Sequence, residues 1–300
     1  MYDLKISGGF VVDGTGAPGR IMDVGIVGDR IVAVGNLDEA AREEIDAKGR
    51  IVAPGFVDIH THYDGQATWD QEMAPSAWHG VTTVVMGNCG VGFAPAAPER
   101  QDWLIGLMEG VEDIPGSALA EGMTWDWESF PDYLNALEKL DRTIDVAAQV
   151  PHGAVRAYVM GDRGAANEAP TDSDIAHMAS IVEEGLAAGA VGFSTSRTIL
   201  HKSVEGELVP GTTATKEELL GIGDALKRAG HGVFELASDL HPDWDEFGWM
   251  GDLSRDTGAA VAFTALESPI KGLSFAQQLA EMRVQNDAGA QIVAQISMRG

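Results

Sequence analysis

IVAPGFVDIHTHYDGQ (residues 51–66) is an apolar, β-rich run that ends in closely spaced polar side chains. Residues two apart on a strand point to the same face, so Asp58, His60 and His62 are predicted to share one. Two adjacent imidazoles supply half of a metal site, and Asp58 is placed to orient one of them. The alternative is a pair of core histidines with partners inside the protein.

Apolar runs of the same kind alternate with helical patterns along the rest of the chain. The further runs lie at 81–90, 144–153, 190–196, 232–238, 259–266 and 290–297. Two helices are predicted at 171–190 and 215–232, because each has a threonine N-cap, acids in its first turn and a glycine near its end. Repeated βα units with apolar strands predict an α/β fold, a (β/α)8 TIM-like barrel that is truncated, with its last strand missing.

The sequence outside these units predicts two further features. Residues 1–53 read as short strands with tight turns, including a hairpin at Gly28-Asp29, and predict a small β-sheet unit. Residues 54–300 are assigned to the incomplete barrel, with an insertion at about 94–143 that is too long for a simple βα loop. This insertion either walls a substrate pocket or packs on its own. The end of the sequence just after strand seven predicts that it is the N-terminal part of a longer protein.

Composition limits the classes of partner. The net charge of -26, from 20 basic and 46 acidic residues, argues against nucleic acid and against an anionic membrane surface. No apolar run approaches the roughly 18 residues that a bilayer span requires. The start of the chain lacks a signal-peptide pattern. A single cysteine, Cys89, excludes an intrachain disulfide and favours a reducing, cytoplasmic location.

Cys89 lies in VVMGNCGVGFAP (84–95), directly after the second barrel strand. The carboxyl ends of barrel strands meet at one face, so this thiol is predicted to lie near His60 and His62. A thiolate is a strong zinc ligand. A small buried thiol without a ligand role is the alternative.

The motifs DLKISGGFVVDGTG, IVAPGFVDIHTHYDGQATWD and PSAWHGVTTVVMGNCGVGFAP resemble the amidohydrolase superfamily, in particular its N-acyl-D-amino-acid deacylase (D-aminoacylase) branch. The resemblance implies a small N-terminal β-sandwich domain, with residues 1–53 as the N-terminal part of a composite β-sandwich on a metal-bearing barrel. His60 and His62 are implied as metal ligands and Cys89 as a zinc ligand. It also implies metal-binding histidines on strands five and six. An aspartate after strand eight, beyond residue 300, is implied as the general base for a zinc-activated water.

The sequence departs from this pattern at strands five and six. They read GVFELASD and VAFTALES, and neither contains a histidine. Glu235, on strand five, is a candidate replacement ligand, unless its side chain faces a helix. One or two zinc ions are expected, and one is favoured.

Three further side chains are candidates for substrate binding because they follow strands three and four. They are His152, Arg197 and His201. Arg197 is able to pair with a substrate carboxylate, but in so acidic a chain it is equally placed to pair with a nearby acid.

These observations predict a metal-dependent hydrolase of non-peptide C–N bonds in linear amides, similar to an N-acyl-D-amino-acid deacylase. A cyclic-amide hydrolase of the same superfamily is the second interpretation, although a ring substrate would not need a long aromatic insertion. A non-catalytic ligand-binding relative is the third, supported by the missing histidines. The expected partner is a small-molecule amide, and a homo-oligomer is left open.

Overall fold

The N-terminal residues form one mixed β-sheet in the computed structural model, which describes residues 1–266 and 272–296. Its strands are β1 (Tyr2–Val11), β2 (Arg20–Val27), β3 (Arg30–Gly35), β4 (Ala41–Asp46) and β5 (Ile51–Val52). β1 and β2 are antiparallel, as are β2 and β3, whereas β4 and β5 each run parallel to β1. Val27 pairs with Arg30 across the turn, which confirms the hairpin predicted at Gly28-Asp29.

The chain divides into two compact units, residues 1–56 and 57–300. The predicted boundary after residue 53 lies close to this division. The strands of the first unit make a single sheet. The second sheet that a composite sandwich requires therefore stays a prediction.

The second unit contains a seven-stranded sheet, in which the order of the strands follows their order in the sequence. They are β6 (Phe56–Asp58), β7 (Val81–Met86), β8 (Asp145–Pro151), β9 (Gly192–Arg197), β10 (Val233–Ser238), β11 (Ala260–Thr264) and β12 (Ile292–Gln295). Each neighbouring pair from β7 to β12 is parallel. This confirms the predicted α/β fold with the parallel strands of an incomplete TIM-like barrel. Residue 297, the end of the predicted seventh run, lies outside the described residues.

Helices connect these strands. They are α1 (Gln101–Glu112), α2 (Gly116–Gly122), α3 (Phe130–Glu138), α4 (His152–Met160), α5 (Asp162–Ala165), α6 (Asp172–Ala188), α7 (Lys216–Ala229), α8 (Glu246–Thr257) and α9 (Phe275–Asp287). The two helices predicted from their caps are confirmed as α6 and α7, which begin after Thr171 and Thr215 and end at left-handed glycines. Among the described residues, no helix combines the length and the apolar composition that a bilayer crossing requires.

Aromatic side chains between the sheet and its helices decide which way the neighbouring strand residues point. Phe193 of β9 and Phe234 of β10 are fully buried, with ring centroids 5.1 Å apart. Phe234 also packs edge-on against Trp249 of α8, at 5.9 Å. Because side chains alternate along a strand, Glu235 faces the opposite side, the interior of the sheet's curve.

Candidate metal centre

Three side chains converge where the first two barrel strands end. Nitrogen atoms of His60 and His62 and the Sγ atom of Cys89 all lie within 4.8 Å of one another. Cys89 Sγ lies 3.2 Å from His60 Nε2. The sequence therefore predicted correctly that these three side chains come together.

The loop after β6 holds the histidines differently from the expected strand geometry. β6 ends at Asp58, two residues before His60, and the Asp58 carboxylate accepts a hydrogen bond from the backbone N–H of His60 at 3.3 Å. Its expected contact with a histidine ring is therefore replaced by a main-chain contact. The Nδ1 atom of His60 instead contacts Oε1 of Gln295, on β12, at 2.9 Å.

The glycines around Cys89 let the loop after β7 pack directly against neighbouring strands. A Cβ atom at Gly87 would lie 2.2 Å from the carbonyl oxygen of Gln149, and one at Gly90 would lie 2.8 Å from the backbone nitrogen of Ser196. Both glycines, and Cys89 itself, have a positive φ, of 75°, 69° and 55°. Glycine is required at the two close approaches, and the turn between them directs the thiol inward.

Asn88 ties the two ligand-bearing loops together. Its side-chain amide donates to the carbonyl oxygens of Thr61, at 3.1 Å, and Val85, at 2.9 Å. The side-chain oxygen of Asn88 accepts a hydrogen bond from Gln149 Nε2 at 2.7 Å. Since Thr61 lies between the two histidines and Asn88 precedes Cys89, these bonds fix the separation of the three candidate ligands.

Glu235 reaches the same place from β10, with its side chain completely buried. Its Oε2 atom accepts a hydrogen bond from the backbone N–H of Cys89 at 2.9 Å. Its Oε1 atom lies 3.8 Å from His60 Nδ1 and has no hydrogen-bond partner among the described residues. The side chain thus faces the cluster and not a helix, although its role as a ligand stays a prediction.

Glu112 contacts one side chain of the cluster, which the sequence did not reveal. It is the last residue of α1, in the predicted insertion, and its Oε1 atom lies 3.3 Å from His62 Nε2. The other ring nitrogen of His62, Nδ1, is buried without a hydrogen-bond partner in the part of the chain that the structure describes. The only signal in the sequence was the position of the insertion, directly after the loop of Cys89.

The insertion also packs on the loops that carry the cluster. Trp127 donates through its indole nitrogen to the carbonyl oxygen of Phe93, at 2.7 Å, and the Tyr133 hydroxyl donates to the carbonyl oxygen of Asp64, also at 2.7 Å. The rings of Phe93 and Trp125 meet edge-on at 5.7 Å. These contacts support a wall beside the cluster over an independently packed insertion.

Burial makes the charged forms of the acidic groups at the site unfavourable. It raises the pKa of the Cys89 thiol well above its usual value, with Glu235 adding to the effect. It also raises the pKa of Asp64 and that of Glu235 to about 8, and that of Glu112 to about 7. Burial, then the charges of His60 and His201, lowers the pKa of His62 to about 3.

This donor set fits a divalent zinc ion. Neutral imidazoles offer nitrogen lone pairs, and a cation would stabilise the thiolate and carboxylates that burial disfavours. Zn–N and Zn–S bonds of about 2.1 and 2.3 Å at a tetrahedral angle place their ligand atoms about 3.6 Å apart. The 3.2 Å between His60 Nε2 and Cys89 Sγ is within a few tenths of an ångström of that separation.

The three predicted substrate-binding residues lie in different surroundings. His201 bonds through Nδ1 to Ser196 Oγ at 2.9 Å, and its charge is one of the causes that lower the pKa of His62. His152 is completely buried, and its nitrogens contact Thr195 Oγ1 at 2.8 Å and Glu218 Oε1 at 3.1 Å. Both nitrogens of His152 therefore have partners inside the protein, which favours a structural role over the predicted substrate contact.

Arg197 pairs with a nearby acid, the second of the two alternatives predicted for it. Its Nε atom donates to Glu246 Oε1 at 2.8 Å, and another guanidinium nitrogen donates to the carbonyl oxygen of Ala214. The guanidinium also lies 5.8 Å from the ring centroid of Trp244. Pairing with an internal acid thus occupies the group that was predicted to bind a substrate carboxylate.

A separate cavity of about 460 Å³ opens at the other end of the sheet. Leu134, Arg142 and Asp145 are among its lining residues. Asp145 begins β8, whereas Cys89 follows the carboxyl end of the neighbouring β7, so this cavity is not part of the cluster.

Comparison with known proteins gives consistent matches. A family model described as "Amidohydrolase family" matches residues 43–291. D-aminoacylase of Alcaligenes xylosoxydans xylosoxydans is 38% identical over 230 residues, which cover 76% of this chain and 43% of that protein. The chain thus spans less than half the length of this relative.

Solved structures match nearly the whole chain. One, of a D-aminoacylase with a binuclear metal centre, gives a TM-score of 0.80 at 32% identity and covers 99% of this chain and 58% of that one. Another is N-acyl-D-glutamate deacylase from Bordetella bronchiseptica, complexed with zinc and a phosphonate mimic of the tetrahedral intermediate. It gives a TM-score of 0.74 at 29% identity and covers 98% of this chain and 58% of that one.

Proposed function

Because the chain belongs to the amidohydrolase family, we propose that it is a zinc-dependent hydrolase of linear amides whose substrates are N-acyl-D-amino acids. The observation that carries the proposal is the convergence of His60, His62 and Cys89 within 4.8 Å. The substrate class is supported by similarity to deacylases of D-amino acids.

His60, His62 and Cys89 would hold the zinc ion. The side-chain amide oxygen of Gln295 accepts a hydrogen bond from Nδ1–H of His60. This leaves the lone pair of His60 Nε2 directed toward the thiol of Cys89. Glu235 supports the cluster by fixing the Cys89 backbone, and its unpartnered Oε1 atom is a candidate oxygen ligand. When bound, zinc supplies a Lewis acid that polarises a carbonyl and lowers the pKa of water.

Other residues of the chain would shape the substrate site. His201 follows β9, at the end of the sheet where the cluster lies, and is our candidate for a contact with the amide or its carboxylate. No residue of this chain is proposed as the general base, since the resemblance assigns that role to an aspartate after strand eight. One zinc ion per chain is favoured, and a reducing compartment such as the cytoplasm would keep Cys89 able to bind it.

The test is hydrolysis of matched N-acetyl-D- and N-acetyl-L-amino acids by the purified, zinc-loaded product of the full-length gene, so that an aspartate after strand eight can take part. Release of acetate from the D series is expected, with loss of turnover in the presence of a chelator and in Cys89→Ala. Hydantoin serves as the cyclic-amide control. Turnover of hydantoin alone would favour the cyclic-amide alternative. Zinc binding without turnover of any amide would favour a ligand-binding relative.

A further inference from the structure

Building on the proposed zinc site, we propose that Glu112 of the insertion is a direct ligand of the same ion. The insertion would then complete the metal centre that the first two barrel strands begin. A carboxylate from α1 would take the place of one of the histidines that are missing from strands five and six. The structure supports this role in three ways.

The first is the distance between Glu112 and His62. Their Oε1 and Nε2 atoms are 3.3 Å apart. Zinc bonds of about 2.1 Å to oxygen and nitrogen, at a tetrahedral angle, place two such ligand atoms about 3.4 Å apart. Glu235 is less well placed, because its Oε1 atom lies 3.8 Å from a His60 nitrogen that already contacts Gln295.

The second is the way in which α1 is held. A Cβ atom at Gly110 would lie 2.3 Å from the carbonyl carbon of Ser203, so the helix backbone rests directly on the segment after β9. One turn earlier, the carbonyl oxygen of Gly106 accepts a hydrogen bond from the Val204 backbone at 3.2 Å. This close packing fixes the end of the helix, and with it Glu112, relative to the barrel.

The third is electrostatic. Glu112 is the last residue of α1, where the negative end of the helix dipole disfavours an acid. Its side chain is only 21% exposed, and His62 is its only ion-pair partner within residues 1–266 and 272–296. A divalent cation between Glu112 and His62 would balance the negative charge of this carboxylate. In the described part of the chain, His62 is the only ion-pair partner that it has.

The experiment measures zinc affinity by competition with a chromophoric chelator. It compares wild-type protein with Glu112→Gln and with Asp113→Asn, the matched change at the adjacent exposed carboxylate. Removing a residue that only hydrogen-bonds to a zinc ligand already costs about 10–100-fold in zinc affinity. Removing the charge of a direct ligand in Glu112→Gln is therefore expected to weaken binding at least tenfold. Asp113→Asn should bind zinc as the wild type does. Circular dichroism of the metal-free variants checks that each one is folded.

Glutamine also separates a ligand from a residue that merely orients His62. The Gln amide oxygen still accepts a hydrogen bond from an imidazole N–H but is a poor replacement for a charged zinc ligand. Unchanged zinc affinity in Glu112→Gln, with an unchanged visible spectrum of the cobalt-substituted protein, would overturn the inference and leave the proposed function standing. A wild-type protein that binds no zinc would overturn both.

Discussion

Replacing Asn88 by alanine is predicted to destabilise the protein and to loosen its metal centre. The change removes the three side-chain hydrogen bonds from Asn88 to Thr61, Val85 and Gln149. The Val85 carbonyl keeps the Thr61 backbone and hydroxyl as donors. The carbonyl of Thr61 and the amide nitrogen of Gln149 lose the partner that Asn88 provides. At about 1–3 kcal/mol for each buried group left unsatisfied, the loss should be about 2–6 kcal/mol.

Urea denaturation of the metal-free protein measures this loss directly. Asn135→Ala, at an exposed position of α3, is the matched control and should change stability by less than about 0.5 kcal/mol. Zinc affinity should fall as well in Asn88→Ala, because the bonds of Asn88 set the separation between the histidine loop and the cysteine loop. A loss below about 1 kcal/mol would refute the reasoning, because it would mean that the freed groups find other partners.

Two further perturbations test the surroundings of the cluster. Gly110→Ala should destabilise the protein by about 1–3 kcal/mol and weaken zinc binding, because its Cβ would lie 2.3 Å from the backbone of Ser203. Gly106→Ala, whose nearest contact would be the end of the Val204 side chain at 3.3 Å, should cost less in denaturation experiments; an equal cost would contradict the packing argument. Burial raises the pKa of Asp64 to about 8, so the folded, metal-free protein keeps a proton that the unfolded chain releases near pH 4. In the presence of a chelator, the melting temperature of the protein should therefore fall as the pH rises from about 4 to about 8. The fall should be less steep in Asp64→Asn, and equal slopes for the two proteins would exclude Asp64 as the cause.

The convergence of His60, His62 and Cys89 was predictable because it depends only on where each residue stands relative to its strand. Each residue follows directly on a barrel strand, and parallel strands bring their carboxyl ends to one face. The glycines beside Cys89 were also readable as sites of close backbone approach, as the contact of Gly87 with Gln149 shows.

Glu112 could not be predicted because its position depends on contacts far away in the sequence. The end of α1 reaches His62 only because Gly110 packs against Ser203, on a segment that follows a different strand. Nothing in the sequence around Glu112 distinguishes it from Asp113, which is exposed.

The sequence left the orientation of Glu235 open and predicted the wrong contact for Asp58, for different reasons. A fully buried strand has apolar surroundings on both faces, so its sequence does not show which way Glu235 points. The packing of Phe234 on Trp249 and the hydrogen bond from the Cys89 backbone show that it points to the cluster. Asp58 was placed on one face with His60 by strand alternation, but the strand ends at Asp58 itself. The chain then turns, and the carboxylate meets the backbone of His60.

Elemental analysis of zinc in the purified protein, beside Cys89→Ala, shows whether His60, His62 and Cys89 form a zinc site. We expect about one zinc ion per chain in the wild type and its loss in the variant, because the thiolate is one of few protein ligands. No zinc in wild-type protein supplied with the metal, or the same zinc content in Cys89→Ala, would contradict the account.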